Sequence, residues 1–179
     1  IRSDGFDSVV ITSGDLPTMK KFDELIRKYG KKTIVFVTWE GQHPGNRATM
    51  ESYTAATKRT VGEMRVMEKE TGATIIPAAL VYHDLTVRPP AGMPRVDYLW
   101  IESNIHQNEL GTLVSAWMFY AILTGKSPVG IGFDLPPFVT GEAMKKTPEV
   151  RLTPELRIEL QQRVWKVAQA WRSGQTHLE

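Results

Sequence analysis

The amino-acid sequence predicts an α/β fold in which a mainly parallel sheet lies between two layers of helices. Two short runs, 7–12 and 33–39, are rich in apolar or β-branched residues. They lack the strict alternation of apolar and polar residues that is typical of a strand with one solvent-exposed face. Each run is followed by a segment whose apolar residues recur at helical spacing. Because a repeated strand-helix unit returns to the same sheet through a crossover helix, the strands are expected to be parallel. The predicted architecture is a three-layer α/β/α sandwich.

The first two helices can be placed from their end signals. Gly30 ends the first helix, since glycine readily adopts the left-handed backbone of a helix stop, and Gly72 ends a second helix over 50–70. A third strand is predicted over 74–82. The apolar residues of the first helix are expected to share one face that packs on the sheet; they are Met19, Phe22, Leu25, Ile26 and Tyr29.

The second half of the chain is predicted to be a loop followed by helices. Prolines and glycines over 83–95 predict an irregular connection. A broad apolar stripe over 110–122, ended by Gly125, predicts a long helix. Thr153 and Pro154 predict the start of the last helix, because threonine is a favoured N-cap and proline fits the first helical position.

Length and composition indicate one domain over 1–179, because 179 residues that are 41% hydrophobic can fill one core. The formal net charge is +2 with no basic stripe, so nucleic acid is not an expected partner. No apolar stretch reaches the about 18 residues that span a bilayer, so we expect a soluble chain without a membrane partner. Its location, including secretion or a periplasmic site after signal removal, stays open. The sequence has no cysteine, which excludes disulfides and thiolate chemistry, and Leu178 and Glu179 are interpreted as a cloning junction.

Candidate chemistry is expected outside the carboxyl ends of the strands, where open parallel sheets bind their ligands. The segments that meet this description are 13–15, 38–47 and 102–106. The last of them carries His106 immediately before the long helix. A histidine in such a loop is well placed to exchange protons near neutral pH.

The sequence from Tyr98 to Gly130 resembles the C-terminal block of the SGNH (GDSL-type) hydrolases. Residues 104–112 read NIHQNELGT, and residues 117–130 read WMFYAILTGKSPVG. The resemblance implies a flavodoxin-like three-layer sandwich and a serine ester hydrolase that removes acyl groups from small esters or carbohydrates. It also implies that His106 is the general base and that no metal or organic cofactor is needed, since serine, histidine and amide donors supply acyl transfer.

The resemblance assigns further residues to the catalytic site. The acid that orients the imidazole falls at Ser103, where the family has an aspartate, and the alternatives are the neighbouring Glu102 or a backbone carbonyl. The family's Gly-Asp-Ser nucleophile block is not visible in the chain. The amides of Ser13 and Gly14 are expected to bind the oxyanion, and Ser13 is a candidate substitute nucleophile. Trp39, at the end of a strand, is a candidate substrate contact.

Two other readings of the sequence remain open. One is a non-catalytic SGNH-like binding module that keeps a cleft without the acid and the nucleophile. The other is a C-terminal portion of the fold whose first strand is supplied by another piece of chain or by a homodimer, because an incomplete sheet leaves open edges. His43 and His83 together with His106 lack the spacing of metal ligands, so no metal site is expected.

Overall fold

The computed structural model describes residues 5–12, 14–38, 49–93, 99, 106–132 and 152–176. In these ranges the chain forms a mixed α/β fold with three strands and five helices. In chain order they are β1 (Ser8–Thr12), α1 (Leu16–Lys28), β2 (Lys32–Phe36), α2 (Met50–Thr71), β3 (Thr74–Ile76), α3 (Ala78–Val87), α4 (Glu109–Thr124) and α5 (Pro154–Arg172).

The three described strands form one sheet in the order β1-β2-β3, and both pairs are parallel, as the sequence predicts. β1 pairs with β2 from Ser8 opposite Lys32 to Thr12 opposite Phe36. In the central strand the consecutive residues Thr33, Ile34 and Val35 are all buried, although their side chains point alternately to opposite faces. Burial of both faces explains why the sequence of this strand shows no alternation.

The predicted third strand is correct only at its start. β3 ends at Ile76, and residues 78–87 form α3, where the sequence predicts a continuing strand to Tyr82 and then a loop. Nearly every residue of α3 is buried, including its polar His83 and Thr86. A helix that is enclosed on all sides has no polar face, so its sequence cannot be told from a buried strand by periodicity.

Helix ends follow the local signals in the sequence. The backbone is left-handed at Gly72, with φ of 70°, and at Gly125, with φ of 68°, where α2 and α4 end. Thr153 caps α5, because its hydroxyl oxygen accepts a hydrogen bond from the Leu156 amide at 3.2 Å, and Pro154 is the first helical residue. These short-range predictions are confirmed because each depends on the backbone preference of one or two residues.

The core lies between the sheet and the long helices. Trp117 and Met118 of α4 are buried, as are Met64 and Met67 of α2, which confirms that the predicted apolar stripes are core. Phe36 at the end of β2 meets Phe119 of α4 with ring centroids 5.1 Å apart. In the described part of the chain, the helices are too short or too polar to cross a membrane.

The apolar face predicted for α1 is only half buried. Met19 and Ile26 are enclosed, whereas Phe22, Leu25 and Tyr29 are 48%, 46% and 48% exposed. β1 contacts no strand other than β2 among the described residues, so its outer edge is not part of a described pair. The sequence signal for the helix was correct, but among the described residues nothing covers Phe22, Leu25 and Tyr29.

Candidate functional site

His106 lies on the carboxyl side of the parallel sheet. Phe119, in the second half of α4, contacts the last residue of β2, whereas Ile122 lines a cavity together with Thr74, the first residue of β3. α4 therefore runs opposite to the strands, and its first turn extends beyond their carboxyl ends. His106 precedes that turn by three residues and is exposed to solvent.

The backbone that follows His106 is fixed at the next two residues. Asn108 caps α4: its side-chain oxygen accepts a hydrogen bond from the Gly111 amide at 2.9 Å, and its own amide donates to the Leu99 carbonyl at 3.0 Å. The Gln107 side-chain oxygen accepts hydrogen bonds from the Tyr82 hydroxyl at 2.6 Å and from the Ser115 hydroxyl at 2.9 Å. His106 is thus an exposed side chain on an anchored loop.

The Tyr82 hydroxyl is a permanent donor in this network. Burial raises the pKa of Tyr82 well above its ordinary value, because the phenolate would lose its hydration in the core. The Ser115 hydroxyl lies 3.4 Å from the Tyr82 hydroxyl and completes a three-membered polar cluster with Gln107. Tyr82 and Ser115 are buried and Gln107 is partly buried. The cluster therefore holds the backbone next to His106 and does not itself form a reactive surface.

The sequence analysis missed this polar cluster. Gln107 precedes the N-cap of α4, so no helical spacing in the sequence relates it to Ser115. Tyr82 belongs to a segment predicted as strand, and its approach to α4 depends on how α3 packs. Only the tertiary structure brings the three side chains together.

Gly14 is the second predicted site residue in the described ranges. It is exposed and follows the carboxyl end of β1, just before α1. Asp15 caps that helix, because its carboxylate accepts a hydrogen bond from the Thr18 amide at 3.0 Å. The backbone hydrogen bond from Thr18 lowers the pKa of Asp15, so this carboxylate is charged near neutral pH. Gly14 and His106 therefore both lie beyond the carboxyl ends of the strands, on separate elements.

The remaining predicted site residues, Ser13, Trp39, Glu102 and Ser103, lie outside the described residues. Within the described ranges the His106 imidazole makes no hydrogen bond to another side chain. The structure therefore establishes the exposure of His106 and the anchoring of the two residues that follow it. The partner that would orient its ring stays a prediction.

His83, which the sequence places in a loop, is a buried residue of α3. It is 5% exposed, its Nε2 lies 2.9 Å from the Thr54 hydroxyl, and its ring stacks on Tyr53 with centroids 5.4 Å apart. No group of three or more potential metal ligands occurs among the residues that the structure describes. His83 is accordingly a structural residue that joins α3 to α2.

We expect His83 to make the fold less stable in mild acid. Burial lowers the pKa of His83, against a smaller opposing effect of Asp84, so the folded chain takes up this proton less readily than the unfolded chain. The stabilisation from the neutral His83 side chain is complete above the pKa of histidine in the unfolded chain, about 6.5. It is lost as the pH falls from there towards the lower pKa of His83 in the folded chain. Urea unfolding at about pH 7.5 and about pH 5 measures the effect.

The matched variant for this test is His83→Gln, which can keep a hydrogen bond to Thr54 but cannot be protonated. Its free energy of unfolding should change less between the two pH values than that of the unsubstituted chain. An equal change in both proteins would show that groups other than His83 cause the acid sensitivity.

Comparison of the chain with protein-family models, curated proteins and solved structures gave no match. The resemblance of residues 98–130 to SGNH hydrolases is therefore a hypothesis that rests on the residues themselves and on the position of His106.

Proposed function

We propose that the chain is an SGNH-type serine ester hydrolase in which His106 is the general base. The observation that carries this proposal is an exposed imidazole, placed directly before α4 on the carboxyl side of the sheet, on a loop held by Asn108 and Gln107. A general base must be accessible to substrate and fixed in direction. The anchoring of the two following residues supplies the fixed backbone that this role requires.

The same proposal includes a flavodoxin-like, three-layer α/β/α arrangement. Burial of both faces of β2 supports it, because a sheet covered on one face would leave alternate side chains exposed. The contact of Phe36 with Phe119 assigns α4 to the face that carries Phe36. Helices on both faces would account for the parallel strands.

The proposed reaction is acyl transfer. A serine hydroxyl attacks the ester carbonyl while His106 takes its proton, and the protonated imidazole then gives a proton to the departing alcohol. Water, activated by the same imidazole, releases the carboxylic acid from the acyl-serine. The amides of Ser13 and Gly14 are the proposed oxyanion donors, and Ser13 is also the candidate nucleophile. Glu102 or Ser103 would orient the imidazole, and Trp39 would contact a small ester or acylated carbohydrate.

Hydrolysis of p-nitrophenyl acetate by the whole chain tests the proposal. We expect His106→Ala to lower kcat/KM by about a hundredfold, which is a typical contribution of a positioned base. The matched control is Lys126→Ala, since Lys126 is also exposed and lies just past the other end of α4. The control should keep the activity of the unsubstituted chain.

Covalent labelling distinguishes the enzyme from the binding module. A fluorophosphonate should add to one serine, peptide mapping should locate it, and Ser13→Ala should abolish the label if Ser13 is the nucleophile. Turnover that survives His106→Ala would contradict the role of His106. A chain without turnover and without label would refute the hydrolase and favour a non-catalytic SGNH-like module.

A further inference from the structure

The outward face of α1 carries three large apolar side chains that the fold does not cover. Phe22, Leu25 and Tyr29 are each nearly half exposed, and their spacing of three and four residues puts them on one side of the helix. We call these three residues the α1 stripe. Isolated exposed apolar residues are ordinary on protein surfaces, but a contiguous row of them marks an interaction surface.

Basic side chains run beside the α1 stripe. Lys21 and Lys28, two helical turns apart, are exposed on the flank of the stripe, and Lys32 is exposed at the start of β2. Residues 14–32 contain six basic and three acidic side chains, in a chain whose net charge is only +2. Lys20 is paired with Glu70. The exposed Lys21, Lys28 and Lys32 give this side of the helix and the turn after it a local excess of positive charge.

Most acidic groups of this region are already engaged. Asp15 caps α1, and the buried Asp23 forms an ion pair with Arg27 at 2.8 Å. Glu24 is the remaining acidic side chain of the helix and is exposed. Glu24 lies between Lys21 and Lys28 on the helix surface, so the outer side of α1 presents apolar residues flanked by two lysines and one glutamate.

An aromatic residue of the preceding segment adds to this surface. Phe6 is 40% exposed, and the Lys31 ammonium lies 4.9 Å from its ring centroid and donates a hydrogen bond to its carbonyl oxygen at 2.5 Å. Lys31 follows Tyr29 by two residues. Phe6 and Lys31 thus add one aromatic and one basic side chain near the amino ends of the strands, the side of the sheet at which α1 ends.

Charge decides which occupant suits this surface. In a symmetric dimer with two stripes crossing at Leu25, Lys21 and Lys28 of both copies would enter the same contact and outnumber the two Glu24 side chains. The net positive charge of that contact would oppose association. An anionic lipid surface would instead attract the same lysines. Aromatic and aliphatic side chains enter the boundary between headgroups and acyl chains, while lysines beside them remain at the phosphates.

We propose that α1 docks on anionic membrane surfaces, with the α1 stripe inserted at the interface and Lys21, Lys28 and Lys32 at the headgroups. This mode needs no membrane-spanning segment. The sequence predicts no membrane partner because it has no apolar stretch long enough to span a bilayer, and it predicts that the α1 face packs on the sheet. The exposure of Phe22, Leu25 and Tyr29 is the new observation. The proposal is independent of the hydrolase activity.

Sedimentation of the whole chain with vesicles tests the docking. We expect binding to vesicles of phosphatidylglycerol and phosphatidylcholine in equal parts, weak binding to pure phosphatidylcholine, and release by salt. Phe22→Ser with Leu25→Ser should lower binding about tenfold or more, since each removes an exposed apolar side chain that would be buried in the membrane interface. Lys21→Glu with Lys28→Glu should also abolish most binding, because each lysine near the surface contributes about fivefold.

Two matched variants keep the result interpretable. Leu123→Ser removes an apolar side chain that is 51% exposed on α4, and Lys126→Glu with Lys166→Glu makes the same change in net charge at exposed sites elsewhere. Both should bind anionic vesicles as the unsubstituted chain does. Circular dichroism of every variant shows whether the fold is kept.

The proposal is overturned if anionic vesicles are not bound, if pure phosphatidylcholine is bound equally well, or if the controls lose binding as the α1 variants do. It is also overturned if light scattering shows a dimer that Phe22→Ser with Leu25→Ser dissociates, because a second copy would then cover the stripe. Esterase activity is measured in a separate assay, so failure of the membrane proposal leaves the hydrolase proposal intact, and the reverse also holds.

Discussion

Gly111→Ala is expected to destabilise the fold by about 3 kcal/mol, although alanine is the better helix former. A β-carbon at this position would lie 2.5 Å from the Leu99 carbonyl oxygen, 2.7 Å from the Tyr82 hydroxyl and 2.9 Å from the Gln107 β-carbon. The Leu99 carbonyl cannot retreat without breaking its hydrogen bond to the Asn108 amide. The added methyl group would therefore disturb the loop that carries His106.

Gly62→Ala provides the matched control in α2. A β-carbon at Gly62 meets no atom within 4 Å, so this substitution should stabilise the chain by about 0.5–1 kcal/mol through helix propensity. Urea unfolding of both variants shows whether each substitution lowers or raises the free energy of unfolding. A stabilising Gly111→Ala would show that the close approach of α4 to the loop before it is not rigid.

Trp171→Ala is expected to lower the free energy of unfolding by about 4 kcal/mol, which is typical for the loss of a buried tryptophan. The side chain is 2% exposed near the end of α5 and joins that helix to α2. Its indole N–H donates to a Glu68 carboxylate oxygen at 3.2 Å, and the Arg65 guanidinium carbon lies 3.3 Å from the ring centroid. Arg65 also donates to Glu68 at 2.7 Å, so the three side chains form one cluster.

Trp171→Phe separates the polar part of this cluster from its packing. Phenylalanine keeps an aromatic face for Arg65 and loses the donor to Glu68, so the expected cost is about 1.5 kcal/mol. Chemical unfolding of the two variants measures both costs. Equal losses for alanine and phenylalanine would assign the stabilisation to the hydrogen bond, contrary to the expectation that packing contributes most.

Local signals in the sequence determined where α2 and α4 end and where α5 begins. Gly72, Gly125 and Thr153 act through their own backbone or side-chain chemistry, and the structure confirms all three. The parallel order of the strands was also predictable, because strands joined by helices have few alternative arrangements. These features depend on interactions within a few residues or on general rules of chain connection.

Burial was less predictable because it depends on the neighbours that the fold supplies. The α1 periodicity predicts one apolar face, yet Ile26 is enclosed and Leu25 is exposed. In α3 the opposite occurs: His83 is buried beside Tyr53 and Thr54, although its residue type favours the surface. The sequence of α3 carries no periodic signal, so its helical state was also missed.

By itself, the sequence determined the α/β class, the parallel connection of strands and the position of His106 ahead of a long helix. Only the tertiary structure decided that Tyr82 and Ser115 hold Gln107, and that Phe22, Leu25 and Tyr29 stay exposed. The physical reason is the separation along the chain of the residues that interact. Backbone preferences act between adjacent residues, whereas burial and side-chain hydrogen bonding depend on segments that meet only after the chain has folded.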